Sequence, residues 1–63
     1  MKVREALRLL HDDGWFVSRI RGSHRQLKHP VKPGTVTIAG DPNIDLPTGT
    51  LKSIQKQAGL ELP

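Results

Sequence analysis

The chain has 63 residues, ten Lys and Arg against six Asp and Glu for a net charge of +4, and no cysteine. That length suits one domain spanning 1–63 and excludes a two-lobed enzyme enclosing a cofactor, because folding at this size buries only about 60% of the surface the unfolded chain exposes. The missing cysteine removes disulfides, Cys-ligated zinc, iron–sulfur clusters and thiolate nucleophiles together. No apolar run approaches the roughly 18 residues of a membrane span, and the N-terminus lacks the apolar stretch of a signal peptide, so the chain reads as soluble.

The first periodic stretch is Lys2 to Asp13. Val3, Ala6, Leu7 and Leu10 recur at the spacing of one helical face, with Lys2, Arg4, Glu5, Arg8 and Asp12 on the other. Gly14 stands where a left-handed residue would stop that helix. Trp15 to Ile20 is rich in aromatic and β-branched residues and reads as a strand. Arg21-Gly22-Ser23 supplies a turn, and His24 to His29 forms the returning strand before Pro30 and Pro33-Gly34 break the chain. Thr35 to Ala39 alternates polar and apolar side chains, the pattern of a half-buried antiparallel strand. Gly40 to Pro47 reads as a loop. A second helix begins near Thr48, capped by Thr48 or Thr50 and stopped at Gly59, with Leu51, Ile54 and Ala58 on its inner face. The expected fold is therefore α+β, in the order α-β-β-β-α, with two helices on one face of a three-stranded antiparallel sheet. The other face or an edge is left for a partner.

Charge is unevenly placed along this order. Residues 1–34 hold eight basic and three acidic side chains, whereas residues 35–63 hold two and three. The densest part contains Arg19, Arg21, Arg25, Lys28 and Lys32 with no carboxylate. Such a segment is an electrostatic footprint for phosphates, although a basic face can also serve solubility alone. Trp15 and Phe16 are the only large rings. A base-stacking sheet is not expected from so few, and at least one of the two should pack in the core; a buried Trp15 would need a partner for its N–H.

Among groups able to move a proton at neutral pH, His24 stands out. It follows Gly22 and Ser23 at the start of a strand, and those two residues with Arg21, Arg25 and Lys28 could hold a phosphate beside it. An imidazole there could take the proton of a ribose 2′-OH. Read from the residues alone, an exposed histidine in a polar turn is the simpler explanation. His29 reads as a residue ending its strand, on the opposite face from His24. His11, with Asp12 and Asp13, reads as structural, since adjacent helical residues point apart and make a poor metal site. Asp41 and Asp45 sit among Gly, Pro and Asn as turn formers.

These pieces form a larger pattern. The helix ends in Asp13-Gly14-Trp15-Phe16; Arg21-Gly22-Ser23-His24-Arg25-Gln26 and Lys28-His29-Pro30 follow; Pro47-Thr48-Gly49-Thr50-Leu51-Lys52-Ser53-Ile54 and Lys56-Gln57-Ala58-Gly59-Leu60 close the chain. Over nearly its full length the chain resembles the HicA (YcfA-like) toxins of bacterial toxin–antitoxin pairs. The resemblance implies a fold like that of a double-stranded-RNA-binding domain, cleavage of mRNA without a metal or other cofactor in the bacterial cytoplasm, and neutralisation by a HicB-type antitoxin covering the active site. It places the family's catalytic histidine at His24 and its glycine turn at Gly22. Leu27 stands where the family often has an aromatic.

The expected chemistry is general base catalysis by His24 on a 2′-OH, giving a 2′,3′-cyclic phosphate. Arg21, Arg25 and Lys28 would stabilise the developing charge, and Lys28, Ser23 or water would protonate the leaving oxygen. RNA binding is expected at Arg19, Arg21, Gly22, Ser23, Arg25, Lys28 and Lys32. If the five cations all touch single-stranded phosphates, log K should fall against log salt with a slope of about −3.5. A non-catalytic RNA-binding module, or a domain that docks an acidic protein, would use the same basic hairpin without needing His24.

Overall fold

The computed structural model describes residues 1–61; residues 62 and 63, the last of the expected domain, lie outside the described residues. The elements are α1 (Val3–Asp12), β1 (Phe16–Arg21), β2 (His24–Lys28), β3 (Val36–Ala39) and α2 (Thr48–Ala58). The three strands form one antiparallel sheet in the order β1-β2-β3. Both the order and the architecture are those expected from the sequence, with boundaries moved by a residue at most.

The end of α1 explains why Gly14 follows it. The N–H of Gly14 donates to the carbonyl of His11 at 3.0 Å, and the N–H of Trp15 to that of Leu10 at 2.9 Å. This paired closure needs a positive φ at Gly14, which stands at +106°. It also folds Trp15 back against Leu10, and both side chains are fully enclosed. At the other end, α1 borrows its acceptors from the 40–47 loop. The N–H groups of Val3 and Arg4 donate to the carbonyls of Ile44 and Pro42, each at 3.0 Å, and Lys2 bridges Asp45 in antiparallel fashion. The segment read as a plain loop is thus a clamp satisfying the exposed donors of a helix start. Within it Asp41 accepts from the Asn43 N–H at 2.8 Å, the turn chemistry expected of that aspartate.

α2 begins at Thr48 with Pro47 as its N-cap, and no side chain caps it. Thr48 already belongs to the helix, so its hydroxyl is not in the capping position expected of it. Gly59 closes α2 with a φ of +60°, and Leu60 packs on the core, as the sequence suggests.

One core joins these elements. Val3, Ala6 and Leu10 of α1, Ile54 and Ala58 of α2, Trp15 and Leu46 meet Leu27, Val36 and Ile38 on a single face of the sheet. The register assigns every other strand residue. Val17 lies opposite Leu27 and Ile20 opposite Arg25, which in turn faces Ile38. These five residues, with Val36 opposite Leu27, look toward the helices. Phe16 opposite Lys28, Arg19 opposite Gln26, and Arg21 opposite His24 look the other way, with Thr37 and Ala39. Among the described residues no helix covers that second face.

Strict alternation along β1 would separate Phe16 from Arg19. A bulge between Val17 and Arg19 inserts one extra residue, Ser18, and brings Phe16, Arg19 and Arg21 to one side. The same bulge puts Val17 and Ile20 together on the helix side. α1 does not reach over them, so both remain exposed beside an open cavity of about 440 Å³. Leu7, Trp15 and Leu27 complete its apolar floor, with Arg4, Arg8 and Arg25 around it.

Candidate nucleic-acid interface and active site

His24 opens β2 immediately after a two-residue turn. Arg21 pairs with His24 across it, leaving Gly22 and Ser23 at the tip. Only Gly22 of the two has a positive φ, +57°, the pattern of a type II′ hairpin turn. A Cβ on Gly22 would meet nothing within 4 Å, so glycine is required for its backbone angle and not for space. The Ser23 carbonyl accepts from the Gly40 N–H at 3.1 Å, which ties the tip to the end of β3. His24 therefore rides on a fixed backbone while its side chain stays exposed.

The open face around it carries Arg19, Arg21 and Lys28, and no strand contains an acidic residue. The imidazole and three cations thus share one surface, with the Gly22-Ser23 tip beside it. Two of the seven expected RNA-binding residues are elsewhere. Arg25 lies on the helix side, where its guanidinium donates to the Gly40 carbonyl at 2.9 Å. Odd and even positions of a regular strand point to opposite faces, so His24 and Arg25 cannot serve the same anion from one side.

Lys32 is held in a separate network behind the sheet. Its ammonium pairs with Asp13 Oδ2 at 2.6 Å and donates to the Ala58 carbonyl, at the C-terminal end of α2, at 3.1 Å. There it links the end of α1 to the negative pole of α2. The hydrogen bond from Lys32, followed by its charge, holds the Asp13 carboxyl below the ordinary 3.8, against partial desolvation. The Trp15 Nε1–H is enclosed with no acceptor in hydrogen-bond geometry among the described residues, and its nearness to Asp13 adds to this lowering. The partner expected for a buried indole is missing among the described residues.

His29 belongs to the same network and is no strand end in the simple sense. Its Nδ1 accepts the N–H groups of Val31 and Lys32 at 3.0 and 2.9 Å. That leaves Nε2 to donate to the Asp13 carbonyl at 2.7 Å, with the ring edge-on to Trp15 at a centroid distance of 5.3 Å. Both nitrogens are committed to backbone, and the ring is packed under Gly14. The two histidines flanking β2 are thus divided: one is exposed on the cationic face and the other is a bolt between α1 and the 30–33 turn.

Sequence reasoning missed Phe16 as part of this surface. It stands 48% exposed in register with Lys28, whereas the enclosed Trp15 meets the expectation that at least one of the two rings packs in the core. The signal that would have located it is the bulge, which composition does not announce.

Among the described residues no helix is long and apolar enough to cross a membrane. A family model described as the HicA toxin of bacterial toxin–antitoxin systems matches residues 3–60. Among solved structures, a chain of a "HicA3 and HicB3 toxin-antitoxin complex" is 31% identical to this one, with each chain covered over 100% of its length and a TM-score of 0.83. No curated protein matches. With the sheet, its uncovered basic face and these similarities in agreement over almost the whole chain, the protein belongs to the HicA family of toxins from bacterial toxin–antitoxin systems.

Proposed function

We propose that this toxin is a metal-independent endoribonuclease of the bacterial cytoplasm that cuts mRNA on the open sheet face, with His24 as general base, and that a HicB-type antitoxin neutralises it. The observation that carries the reading is His24 itself: exposed, directly opposite Arg21, and on a sheet face whose strands contribute cations and no carboxylate. Family membership and the likeness to a chain solved with HicB3 support the toxin role and the partner.

In the proposed reaction His24 takes the proton of a ribose 2′-OH. The 2′-oxygen attacks the adjacent phosphorus, the P–O5′ bond breaks, and a 2′,3′-cyclic phosphate and a 5′-hydroxyl result. Arg21, on the same rung, offsets the charge gathering on the non-bridging oxygens, and the Ser23 hydroxyl and N–H lie next to it in the turn. Lys28 is four residues along the strand, about 13 Å away at strand rise, and so serves a neighbouring phosphate and not the leaving group. Solvent, which has free access to this face, protonates the 5′-oxygen. One histidine contributes typically 10²–10⁴-fold, so positioning across the cationic face must supply the remaining acceleration.

The test is product chemistry. Incubation of a single-stranded RNA with the toxin and excess chelator should yield fragments ending in 2′,3′-cyclic phosphate and beginning with 5′-hydroxyl. RNA that is bound but never cut would identify a non-catalytic binding module instead.

A further inference from the structure

The open face carries a phenyl ring that the cleavage chemistry does not use. Phe16 is 48% exposed, is opposed by Lys28, and lies on the same side of the sheet as His24. Two features separate it from an incidental surface aromatic. First, its placement depends on the Ser18 bulge; three residues before Arg19, it would face the opposite side in a regular strand. Second, the face it joins is built as a ladder of three rungs, Phe16–Lys28, Arg19–Gln26 and Arg21–His24, with a cation in every rung. An aromatic ring paired with a cation matches the two parts of a nucleotide, a base to stack and a phosphate to neutralise.

We propose that Phe16 and Lys28 form a nucleobase-stacking subsite, occupied by the RNA nucleotide about two positions from the scissile phosphate. The spacing follows from the strand. Phe16 and Lys28 stand four residues of β2 from the His24 rung, about 13 Å. RNA drawn out of its stack advances roughly twice the 3.4 Å per nucleotide of a stacked strand, so about two steps span the distance. Arg19 lies between the two ends and meets the intervening phosphate. Since every base offers a π-face, the subsite fixes the register of the strand on the sheet and does not choose a base identity. Single-stranded RNA is the occupant because the strands of this face contribute cations and no carboxylate, and its exposed phenyl ring lies beside a cation.

This inference rests on the proposed cleavage at His24, and the test separates the two. A single-stranded RNA with one mapped cut is prepared as a series, each member lacking one base near the cut while keeping its ribose and phosphate. For the wild-type chain, kcat/KM should drop about 5- to 150-fold at one position roughly two nucleotides from the cut, the factor expected for one base–aromatic stack. Phe16→Leu should show the same loss on the intact RNA and no further loss when that base is missing, while Phe16→Trp keeps the wild-type profile. The same series is read as Kd with His24→Ala, which binds without cutting. A stack signature in Kd with no cleavage by the wild type would retain the subsite and overturn the nuclease. Phe16→Leu indistinguishable from wild type throughout, or no RNA bound at all, overturns the subsite. Phe16 lies outside the core, so far-ultraviolet circular dichroism matching the wild type is expected for both variants.

Discussion

His24 and His29 are five residues apart and do opposite work. The imidazole of His24 is exposed and makes no hydrogen bond among the described residues, whereas His29 holds three backbone groups at once. Replacing His29 by Ala should cost about 1–3 kcal/mol of unfolding free energy, because the Asp13 carbonyl and two N–H groups lose their partner. Urea unfolding of His29→Ala checks this, and an unchanged midpoint would contradict it. The motif points to both residues, but only a resemblance distinguishes their roles. The partners of His29 include Asp13, sixteen residues earlier, and no local pattern announces that contact. Asp13 adds a pH dependence. Its carboxyl is lowered by Lys32 in the folded state, so its contribution is fully present above the unfolded value near 3.8 and is lost as the pH falls through the lower folded value. Asp13→Asn should therefore be less stable than wild type at neutral pH and should flatten the loss of stability below about pH 4, read as melting temperature against pH.

At the scale of elements, the helical periodicities and glycine stops made α1, α2 and their ends readable. The strands were readable as strands but not as faces. One inserted residue at Ser18 reverses the alternation of everything before it, and this is why Phe16 joins the arginines. The 40–47 clamp was hidden for a related reason, since carbonyls that accept from the start of α1 carry no side-chain signature. Two glycines show how differently one residue type can be required. Gly22 needs only its positive φ, while at Gly14 a Cβ would also stand 2.6 Å from His29 Nε2. Gly22→Ala should cost about 1–2 kcal/mol, the penalty of a left-handed residue. Gly14→Ala should cost more, and equal losses by denaturant titration would contradict the close packing of His29 beneath the helix end.

For the whole molecule, the basic segment divides into three groups once folded. Arg19, Arg21 and Lys28 share the open face, Arg25 lines the helix side, and Lys32 secures α2. Five cations adjacent in sequence therefore do not make a five-phosphate site. The slope of log K against log salt for single-stranded RNA should be about −2, not the −3.5 of the unfolded count. Lys28→Ala should flatten it by about 0.7, whereas Lys32→Ala should lower stability and leave the slope unchanged. A slope near −3.5 that responds to Lys32 would contradict this division. Charge density was legible in the sequence, but its sorting onto faces is a property of register and tertiary contact.

The assignment of His24 is tested most directly by the single-turnover cleavage rate of His24→Ala against wild type, with the protein in saturating excess over RNA and in the presence of chelator. A fall of about 10²- to 10⁴-fold is expected, with unfolding free energy within about 0.5 kcal/mol of wild type because the ring is exposed. An alanine variant that cuts at the wild-type rate would contradict the account.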